Sequence, residues 1–505
     1  MPPSVETAVR EAMRGDPRAL LVAGWNRAPT YLMAARIALD AGRPCLAVFP
    51  SVDAASAFAR AAAGAGFAPV LVHGDLPPAA RRSAWESLRS ARGMLVIGTR
   101  AAVFAPVADP VLAIVDDEDN SGHKEERAPR FVTRVVAEAR TRETGVLIIG
   151  ATTPPVATWA GVEAGRLRLV ALPSPRPRIG VVDLRRRPDP GMPVSRPVLD
   201  AVRRVARSGG RALVLADRKG YAGGLHCAEC GAVERCPQCS VALSYDRSGR
   251  RLSCRVCGFA MPAPNVCSRC GAARLHLLGA GTERLAAFFR RLAPRVWRLD
   301  ADVAANVRDV TAVLAPFREQ GGVLVATTLV VPWLEWLRPN LVAVVSADRW
   351  LHRPEFRAAE RILSLLRTLS MASRARVLVE TSDPNHPALL AAAAASLRPF
   401  YAEETALRRA LDYPPFRSLV AVVVSARSAA VADAVIARLA ADAAPPTEVL
   451  GPSPVPGAAA GRVERRLVLK VADRSAARSL LWPLVTGAAA PSQVKVVVDV
   501  DPIEL

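Results

Sequence analysis

The chain contains only four lysines, Lys124, Lys219, Lys470 and Lys495, so its first 123 residues have none. A nucleotide-binding P-loop needs a lysine after its glycines, because the ammonium group contacts the β- and γ-phosphate oxygens. A shifted register cannot supply this lysine before residue 124. The sequence therefore excludes an ordinary P-loop from the first part of the chain.

Long apolar runs are also missing. No apolar stretch reaches about 18 residues without a charge or a proline, which is the length that a membrane-spanning helix needs. The first 25 residues include acidic side chains and have no apolar core of the signal-peptide type. These absences predict a cytoplasmic protein with no membrane partner, in a compartment that keeps thiols reduced.

Acidic residues are scarce relative to basic ones, with 46 against 67 and a formal net charge of +21. An excess of this size favours a polyanionic partner, and nucleic acid is the first candidate. The scarcity of lysine also indicates a genomic bias toward arginine, so a merely solvated basic surface is the alternative.

Eight of the nine cysteines lie within residues 227–270 as four C-x-x-C pairs, which are Cys227/Cys230, Cys236/Cys239, Cys254/Cys257 and Cys267/Cys270. Each pair places two sulfurs on one side of a tight turn, where they can share a tetrahedral metal ion. Eight thiolates predict two structural zinc sites with no open position for a catalytic water. Disulfides are the alternative, but they suit small secreted domains better than a long chain without a signal peptide.

The spacing alone leaves three ways of combining the four pairs into two sites: sequential, interleaved or nested. Small residues follow the second cysteine of each pair, namely Gly231, Ser240, Gly258 and Gly271. Such residues let backbone N–H groups approach the sulfurs. His226 is left out of the predicted ligands, since eight thiolates already fill two sites.

Short apolar runs alternate with alanine-rich amphipathic stretches from residue 19 to about 153 and again after residue 198. This alternation is typical of a parallel sheet covered by helices on both faces. We therefore predict an α/β protein with two tandem RecA-like, helicase-type lobes, a cysteine-rich two-zinc module inserted in the second lobe, and a small C-terminal α+β domain. The predicted bounds are 1–172 for the first lobe, 173–197 for a Pro/Arg-rich linker, 198–223 and 273–386 for the second lobe, 224–272 for the zinc module, and 400–505 for the last domain.

A motor of this type would bind ATP in the loop after the first strand, which spans residues 24–31. Besides lacking the lysine, this loop contains Pro29, which removes a backbone N–H donor. Asp116, Asp117 and Glu118 follow a predicted strand, as carboxylates that hold Mg²⁺ would. Without a phosphate cradle, a solvated acidic turn explains them equally well. ATP is therefore a doubtful cofactor, and these three carboxylates are interpreted as vestigial.

The chain resembles the PriA family of bacterial replication restart, or primosomal, proteins from about residue 20 to the end. The resemblance is carried by several short segments, which are residues 98–106, 116–119, 150–154, 218–222, 279–284, 347–361, 413–416 and 498–502. It implies nested cysteine pairing, with Cys227, Cys230, Cys267 and Cys270 on one zinc ion and Cys236, Cys239, Cys254 and Cys257 on the other.

The sequence departs from the family at the positions that would carry the motor chemistry. The phosphate-loop lysine is replaced, and the family's K-G-x-D-F core corresponds to residues 331–336, which do not match it. The stretch aligned with the arginine-finger motif, residues 368–374, lacks the glutamine and has Ala372 in place of the first arginine. An arginine finger contributes roughly 10³–10⁵ to the rate of phosphoryl transfer. The family's N-terminal region that binds DNA 3′ ends is expected either to be missing from this protein or to precede a start that lies too far downstream in the given sequence.

The leading hypothesis is a replication restart factor that binds forked or single-stranded DNA and promotes primosome assembly, without helicase activity of its own. The resemblance implies primosome proteins, single-strand-binding protein and the replicative helicase as partners. The alternatives are an active ATP-dependent 3′–5′ DNA helicase with unconventional nucleotide contacts, and a zinc scaffold that binds only proteins. The candidate DNA contacts are arginines of the cysteine-rich segment, which are Arg235, Arg250, Arg251, Arg255 and Arg269.

Overall fold

The computed structural model of the chain forms two compact units, Met1–Pro175 and Arg176–Leu505. It describes residues 5–15, 19–90, 93–109, 111–186, 192–217, 225–246, 250–277, 281–443, 447–455, 461–478 and 494–503. Within these ranges no helix has the length and apolar character needed to cross a membrane. Of the segments that carry the family resemblance, residues 218–222 and part of 279–284 lie outside the described ranges.

The first unit is an α/β lobe. Its strands are β1 (Ala19–Ala23), β2 (Cys45–Val48), β3 (Val70–Val72), β4 (Leu95–Gly98), β5 (Leu112–Val115), β6 (Val146–Ala151) and β7 (Arg168–Ala171). Its helices are α1 (Val5–Arg14), α2 (Ala28–Asp40), α3 (Val52–Gly64), α4 (Pro78–Ser90), α5 (Thr133–Thr141) and α6 (Val156–Glu163). The strands form one parallel sheet in the order β3-β4-β2-β5-β6-β1-β7.

The local sequence explains these elements. Strands β5 and β6 are apolar and buried along their whole length, as expected when helices cover both faces of a parallel sheet. Alternate residues of the strands enter two separate apolar cores, one on each face. Helix α3 begins where Ser51 accepts a hydrogen bond from the Ala54 N–H at 3.2 Å, an N-cap that stops the chain from continuing as strand.

The second unit contains another parallel α/β lobe. Its strands are β8 (Ile179–Asp183), β9 (Arg211–Leu215), β15 (Val296–Leu299), β16 (Gly322–Ala326), β17 (Leu341–Val344) and β18 (Arg376–Thr381), in the order β15-β16-β9-β17-β18-β8. Its helices are α7 (Arg196–Arg207), α8 (Thr282–Arg290), α9 (Val307–Gln320), α10 (Leu334–Leu337), α11 (Asp348–Leu351), α12 (Ala358–Ser373), α13 (Pro387–Ala393) and α14 (Arg398–Ala410). Strand β8 lies in the segment interpreted from sequence as a linker, yet it pairs with β18 at the edge of this sheet.

The cysteine-rich module enters the chain between β9 and α8. Its short strands are β10 (Leu225–Cys227), β11 (Ser244–Asp246), β12 (Arg251–Ser253), β13 (Ala260–Pro262) and β14 (Leu275–Leu277). Strands β10 and β14 pair antiparallel and bring the two ends of the module together. The module is therefore an insertion that leaves and returns at one place in the lobe.

The last part of the chain forms a four-stranded antiparallel sheet covered by one long helix. Its elements are β19 (Ser418–Ala426), α15 (Ala429–Asp442), β20 (Glu448–Pro454), β21 (Val463–Val471) and β22 (Lys495–Val500), with the strand order β20-β21-β19-β22. The predicted fold class is confirmed: two α/β lobes with parallel sheets, a cysteine-rich insertion in the second, and a small α+β domain at the end.

The module joins the second lobe to the C-terminal domain. The Tyr413 hydroxyl donates a hydrogen bond to the Cys239 carbonyl at 3.1 Å, and the Ser453 hydroxyl donates to the Arg255 carbonyl at 3.1 Å. One apolar core is shared between the module and the C-terminal domain, and it includes Cys236, Cys239, Leu252, Cys254, Tyr413, Leu419, Leu450 and Val468. On the lobe side, a Cβ placed on Gly231 would lie 2.3 Å from the Ser382 carbonyl oxygen.

Gly231→Ala is expected to loosen the module from the second lobe, because the new methyl group would overlap a backbone carbonyl that cannot rotate away. Overpacking of this kind costs about 2 kcal/mol, which corresponds to a roughly 30-fold faster hydrogen exchange through local opening. The measurement is hydrogen exchange of the amides of residues 225–246.

Gly271→Ala is the matched control for this change. Gly271 has the same left-handed φ, 74° against 72°, but a Cβ there would meet nothing within 4 Å. Both variants therefore suffer the same backbone penalty, and only Gly231→Ala adds the overlap. Equal exchange in the two variants would contradict the assigned contact.

Candidate metal centres and nucleotide motifs

All four C-x-x-C turns share one backbone geometry. The residue after the second cysteine donates its N–H to the carbonyl of the first, at 2.9 Å for Gly231, 2.9 Å for Ser240, 3.1 Å for Gly258 and 2.9 Å for Gly271. These four residues have φ values of 72°, 54°, 80° and 74°. The left-handed turn explains why three of the four are glycine, since glycine adopts it without steric cost.

The turns bring the cysteines into two groups of four, Cys227, Cys230, Cys267 and Cys270, and Cys236, Cys239, Cys254 and Cys257. Within each group all sulfurs lie within 4.8 Å of one another. The closest sulfur contacts include 3.6 Å for Cys227 with Cys270, 3.7 Å for Cys230 with Cys267 and 3.5 Å for Cys236 with Cys257. A tetrahedral site with bonds of about 2.3 Å has sulfur–sulfur edges of about 3.8 Å.

These groups are the nested arrangement that the family resemblance implies, and all nine cysteines are unbonded thiols. A sequential arrangement would combine Cys227/Cys230 with Cys236/Cys239, and an interleaved one would combine Cys227/Cys230 with Cys254/Cys257. Neither combination is one of the two groups. His226 belongs to neither group, in agreement with its omission from the predicted ligands. The donor set of each group is four sulfurs, which suits zinc or another thiophilic metal ion.

The crowding of thiols in the second group favours ionisation of one of them. The pKa of Cys254 is lowered to about 5, first because the Cys239 thiol donates a hydrogen bond to its sulfur, and further because nearby backbone N–H groups point at it. The Val256 N–H lies 3.4 Å from this sulfur. A thiolate held in this way is ready to bind a metal cation.

In the first lobe, the loop after β1 is filled by an arginine. The Arg27 guanidinium donates to Asp116 Oδ1 at 2.6 Å, to the Gly24 carbonyl at 2.7 Å and to the Thr152 hydroxyl at 2.9 Å. The Tyr31 hydroxyl donates to the same Asp116 oxygen at 2.7 Å. The positive charge that neutralises Asp116 therefore comes from the chain itself.

This ion pair is largely buried, with Arg27 and Asp116 side chains 10% and 17% exposed. Burial alone would lower the pKa of the Arg27 guanidinium, but Asp116 outweighs it and raises that pKa. The pKa of Tyr31 is raised well above its usual value by burial and by the Asp116 charge. Arg27 is also the N-cap residue of α2, where a cation is unfavourable without such a carboxylate.

Glu118 and Asp117, the other two acidic residues of this motif, also have partners within the lobe. Glu118 is 2% exposed and forms an ion pair with Arg134 at 2.7 Å, and Arg134 also contacts Glu138 at 2.8 Å. Asp117 accepts a hydrogen bond from the Asn120 amide at 3.1 Å. Sequence reasoning found the three carboxylates but missed Arg27, Tyr31 and Arg134. The i, i+4 spacing of Arg27 and Tyr31 at the start of a helix was the only local signal for the first two.

The stretch aligned with the arginine-finger motif continues helix α12. Leu369, Ser370, Met371 and Ser373 are buried, and the Ser370 hydroxyl accepts a hydrogen bond from the Arg178 N–H at 2.8 Å. Arg374 ends the helix and is exposed next to the amino end of β18. Ligands of parallel α/β sheets bind at the carboxyl ends of the strands. This arginine therefore lies at the wrong edge of its own sheet to contact a nucleotide there.

The five candidate DNA-contacting arginines lie in different parts of the module. Arg250 and Arg251 are exposed where the chain enters β12, and Arg269 is exposed in the last C-x-x-C turn. Arg255 is half-buried, and Arg235 donates to the Ser240 carbonyl at 2.9 Å beside a cavity of ≈ 310 Å³. Their role in binding DNA stays a prediction.

Asp116→Asn is expected to destabilise the first lobe by about 3 kcal/mol, because it leaves the Arg27 guanidinium buried without a counter-charge. The free energy of unfolding is measured by urea titration with hydrogen-exchange readout on β1 and β6. Asp117→Asn is the control, because it makes the same chemical change at the adjacent residue. Asp117 has a left-handed φ that asparagine tolerates, so this variant is expected to lose less than about 0.5 kcal/mol of unfolding free energy. Similar losses in the two variants would refute the ion-pair assignment.

Comparison with known proteins adds a family context to this geometry. Residues 409–503 match the family model described as the primosomal protein N C-terminal domain. The chain is 28% identical to the replication restart protein PriA of Bacillus subtilis, over 89% of this chain and 59% of that protein. It is 34% identical to the probable replication restart protein PriA of Deinococcus radiodurans, over 78% of this chain and 44% of that protein.

Among solved structures, a RecG protein bound to a three-way DNA junction has a TM-score of 0.47 and 13% identity, over 80% of this chain and 46% of that one. The chain spans between two fifths and three fifths of the length of the two curated relatives named above. Sequence similarity nevertheless extends over both lobes, the cysteine-rich module and the last domain. The resemblance found in the motifs is confirmed, since the chain is similar to PriA replication restart proteins over most of its length.

Proposed function

We propose that this chain is a replication restart factor that binds forked or single-stranded DNA and promotes primosome assembly and reloading of the replicative helicase. The observation that carries the proposal is the similarity to PriA proteins over 89% of the chain. The net charge of +21 supports a polyanionic partner. Primosome proteins, single-strand-binding protein and the replicative helicase are the proposed protein partners, and the cytoplasm is the proposed compartment.

The proposed factor works without ATP hydrolysis. Asp116 and Glu118 are both held by arginines of the same lobe. A Mg²⁺ ion would have to displace these guanidinium groups from buried carboxylates, and the chain offers no lysine in the loop to receive the phosphates. These contacts support a binding role over that of an active helicase.

Each group of four thiols is proposed to hold one structural Zn²⁺ ion. Four sulfurs fill a tetrahedral coordination shell, so the ion would fold the module and leave no position for a reacting water. The module has only strands of three residues each, and a metal would supply much of its folding free energy.

Replacing one cysteine in each group separates the roles of the two sites. Cys254→Ser and Cys270→Ser are each expected to remove one of two zinc ions per chain, measured by atomic emission on the purified protein. Cys254 is buried in the core shared with the C-terminal domain, whereas Cys270 is exposed. Cys254→Ser is therefore expected to raise hydrogen exchange in β19 and β21, and Cys270→Ser to leave it unchanged. A full complement of two zinc ions in either variant would contradict the proposed ligands.

The proposed function is tested by measuring DNA binding and ATP hydrolysis on one preparation of the zinc-loaded protein. We expect tight binding to a forked DNA that weakens steeply with salt, and no release of inorganic phosphate above background with or without DNA. The background is set by the Asp117→Asn variant, which changes a carboxylate of the acidic motif without leaving Arg27 unpaired. Failure to bind forked and single-stranded DNA would overturn the proposal. DNA-stimulated phosphate release that disappears in Asp117→Asn would show a working motor instead.

A further inference from the structure

The amino ends of the strands in the second lobe carry an unusual number of arginines. Because all six strands are parallel, their amino ends lie along one edge of the sheet. The helices that connect these strands run antiparallel to them, so the last turns of those helices lie at the edge formed by the amino ends of the strands. Arg178, Arg211, Arg295 and Arg376 lie at a strand start or directly before one, and Arg338 lies three residues before β17. Six strands at about 4.8 Å spacing make this edge roughly 24 Å long.

The densest part of this edge surrounds the start of β9, and we call it the amino-edge surface. It consists of Arg204 and Arg207 in the last turn of α7, Arg211, Arg318 in the last turn of α9, Trp336 and Arg338. Two hollows of ≈ 530 and ≈ 430 Å³ lie there, each lined by three arginines, with Asp200 as the only carboxylate of the first and Glu335 of the second.

Arg211 holds this surface together. Its guanidinium donates to the Arg338 carbonyl at 3.2 and 3.0 Å and to the Arg318 carbonyl at 3.3 Å. The Arg318 guanidinium lies 4.5 Å from the centre of the Trp336 ring. These contacts occupy backbone oxygens and a ring face, and they place several positive groups next to one another.

The other arginines of the surface are free to meet a ligand. In the part of the chain that the structure describes, Arg204, Arg207, Arg318 and Arg338 form no ion pair with a carboxylate, whereas Arg298 on β15 contacts Asp300 at 2.7 Å. Arg204, Arg207, Arg318 and Arg338 are all exposed. Each hollow has three guanidinium groups and one carboxylate, so the positive charges are not balanced, and a polyanion would reduce their mutual repulsion.

The backbone conformation at two arginines gives a second, independent indication that this edge of the sheet binds a ligand. Arg338 and Arg374 occupy the left-handed positions that end α10 and α12, with φ values of 45° and 56°. Glycine is the usual residue there, because a Cβ makes this conformation unfavourable. Both positions instead carry an exposed arginine at the amino edge. Strain that is retained in this way points to a use for the side chain.

We propose that the amino-edge surface binds the phosphate backbone of a DNA duplex. The inference rests on the proposed DNA-binding function and adds a second contact region, on the edge of the sheet opposite the carboxyl ends where α/β proteins hold their ligands. Single strands need aromatic platforms for their bases, but one face of Trp336 is covered by Arg318. Several guanidinium groups beside one partly covered ring suit the phosphates of a duplex arm better than the bases of a single strand.

The test compares two triple variants, one that lacks three positive charges of the amino-edge surface and one that lacks three positive charges elsewhere. The surface variant combines Arg204→Gln, Arg207→Gln and Arg338→Asn, since asparagine tolerates the left-handed backbone. The control combines Arg308→Gln, Arg398→Gln and Arg427→Gln, which are exposed in the second unit but away from the amino edge. Both proteins have the same net charge, and circular dichroism and thermal melting establish that both are folded.

Dissociation constants are measured over a range of salt for a plain duplex, a fork and oligo-dT. We expect the surface variant to bind the duplex at least 10-fold more weakly at 100 mM salt, with a slope of log K against log salt that is shallower by about 3, as for the loss of three phosphate contacts. Binding to oligo-dT is expected to change less than twofold, and the control to keep the slope of the unmodified protein.

Equal duplex binding by the surface variant and the control would overturn this inference while leaving the proposed function intact. A surface variant that loses binding to an oligo-glutamate peptide but keeps duplex binding would assign the surface to an acidic protein segment and also overturn it. If the unmodified protein binds none of the three DNAs, the proposed function itself fails and this inference fails with it.

Discussion

The gathering of eight thiols into two tetrahedral groups is the constraint on which the second unit depends. The four C-x-x-C turns of the module between β10 and β14 are fixed by backbone hydrogen bonds, and they gather the sulfurs into the two groups. One group approaches the second lobe through Gly231, and the other contributes three cysteines to the core of the C-terminal domain. The thiol groups thus set the position of two folded parts at once, and a change in either group is felt beyond the module.

The first lobe shows how carboxylates at the ends of strands are held by partners from the same lobe. A parallel sheet needs continuous apolar strands and covering helices, and these remain in full. The carboxylates at the strand ends would be costly if left buried and unpaired, so their retention requires internal partners. Arg27 and Arg134 supply them. The acidic residues Asp116 and Glu118 are consequently part of the internal structure of the lobe.

Much of this architecture could be predicted from the sequence, because periodicity and cysteine spacing are local signals. The apolar runs at 19–23, 45–48 and 112–115 belong to the alternation that predicted the α/β fold, and they form strands β1, β2 and β5. The pairing of the cysteines could not be derived from spacing, since it depends on how distant turns meet. The side-chain network around Asp116 could not be predicted from the sequence either, because it joins residues 89 positions apart. Strand β8 was placed in a linker because a lone strand among prolines gives no hint of its sheet partner.

The Arg27–Asp116 pair limits which substitutions the first lobe can accept. A phosphate-binding loop at this place would require at least a lysine, a replacement for Pro29 and a smaller group at Tyr31. Any single substitution that removes Arg27 leaves a buried carboxylate without its counter-charge, and the lobe loses several kilocalories per mole of stability. The two positions are therefore coupled, so that a change at one is tolerated only together with a change at the other.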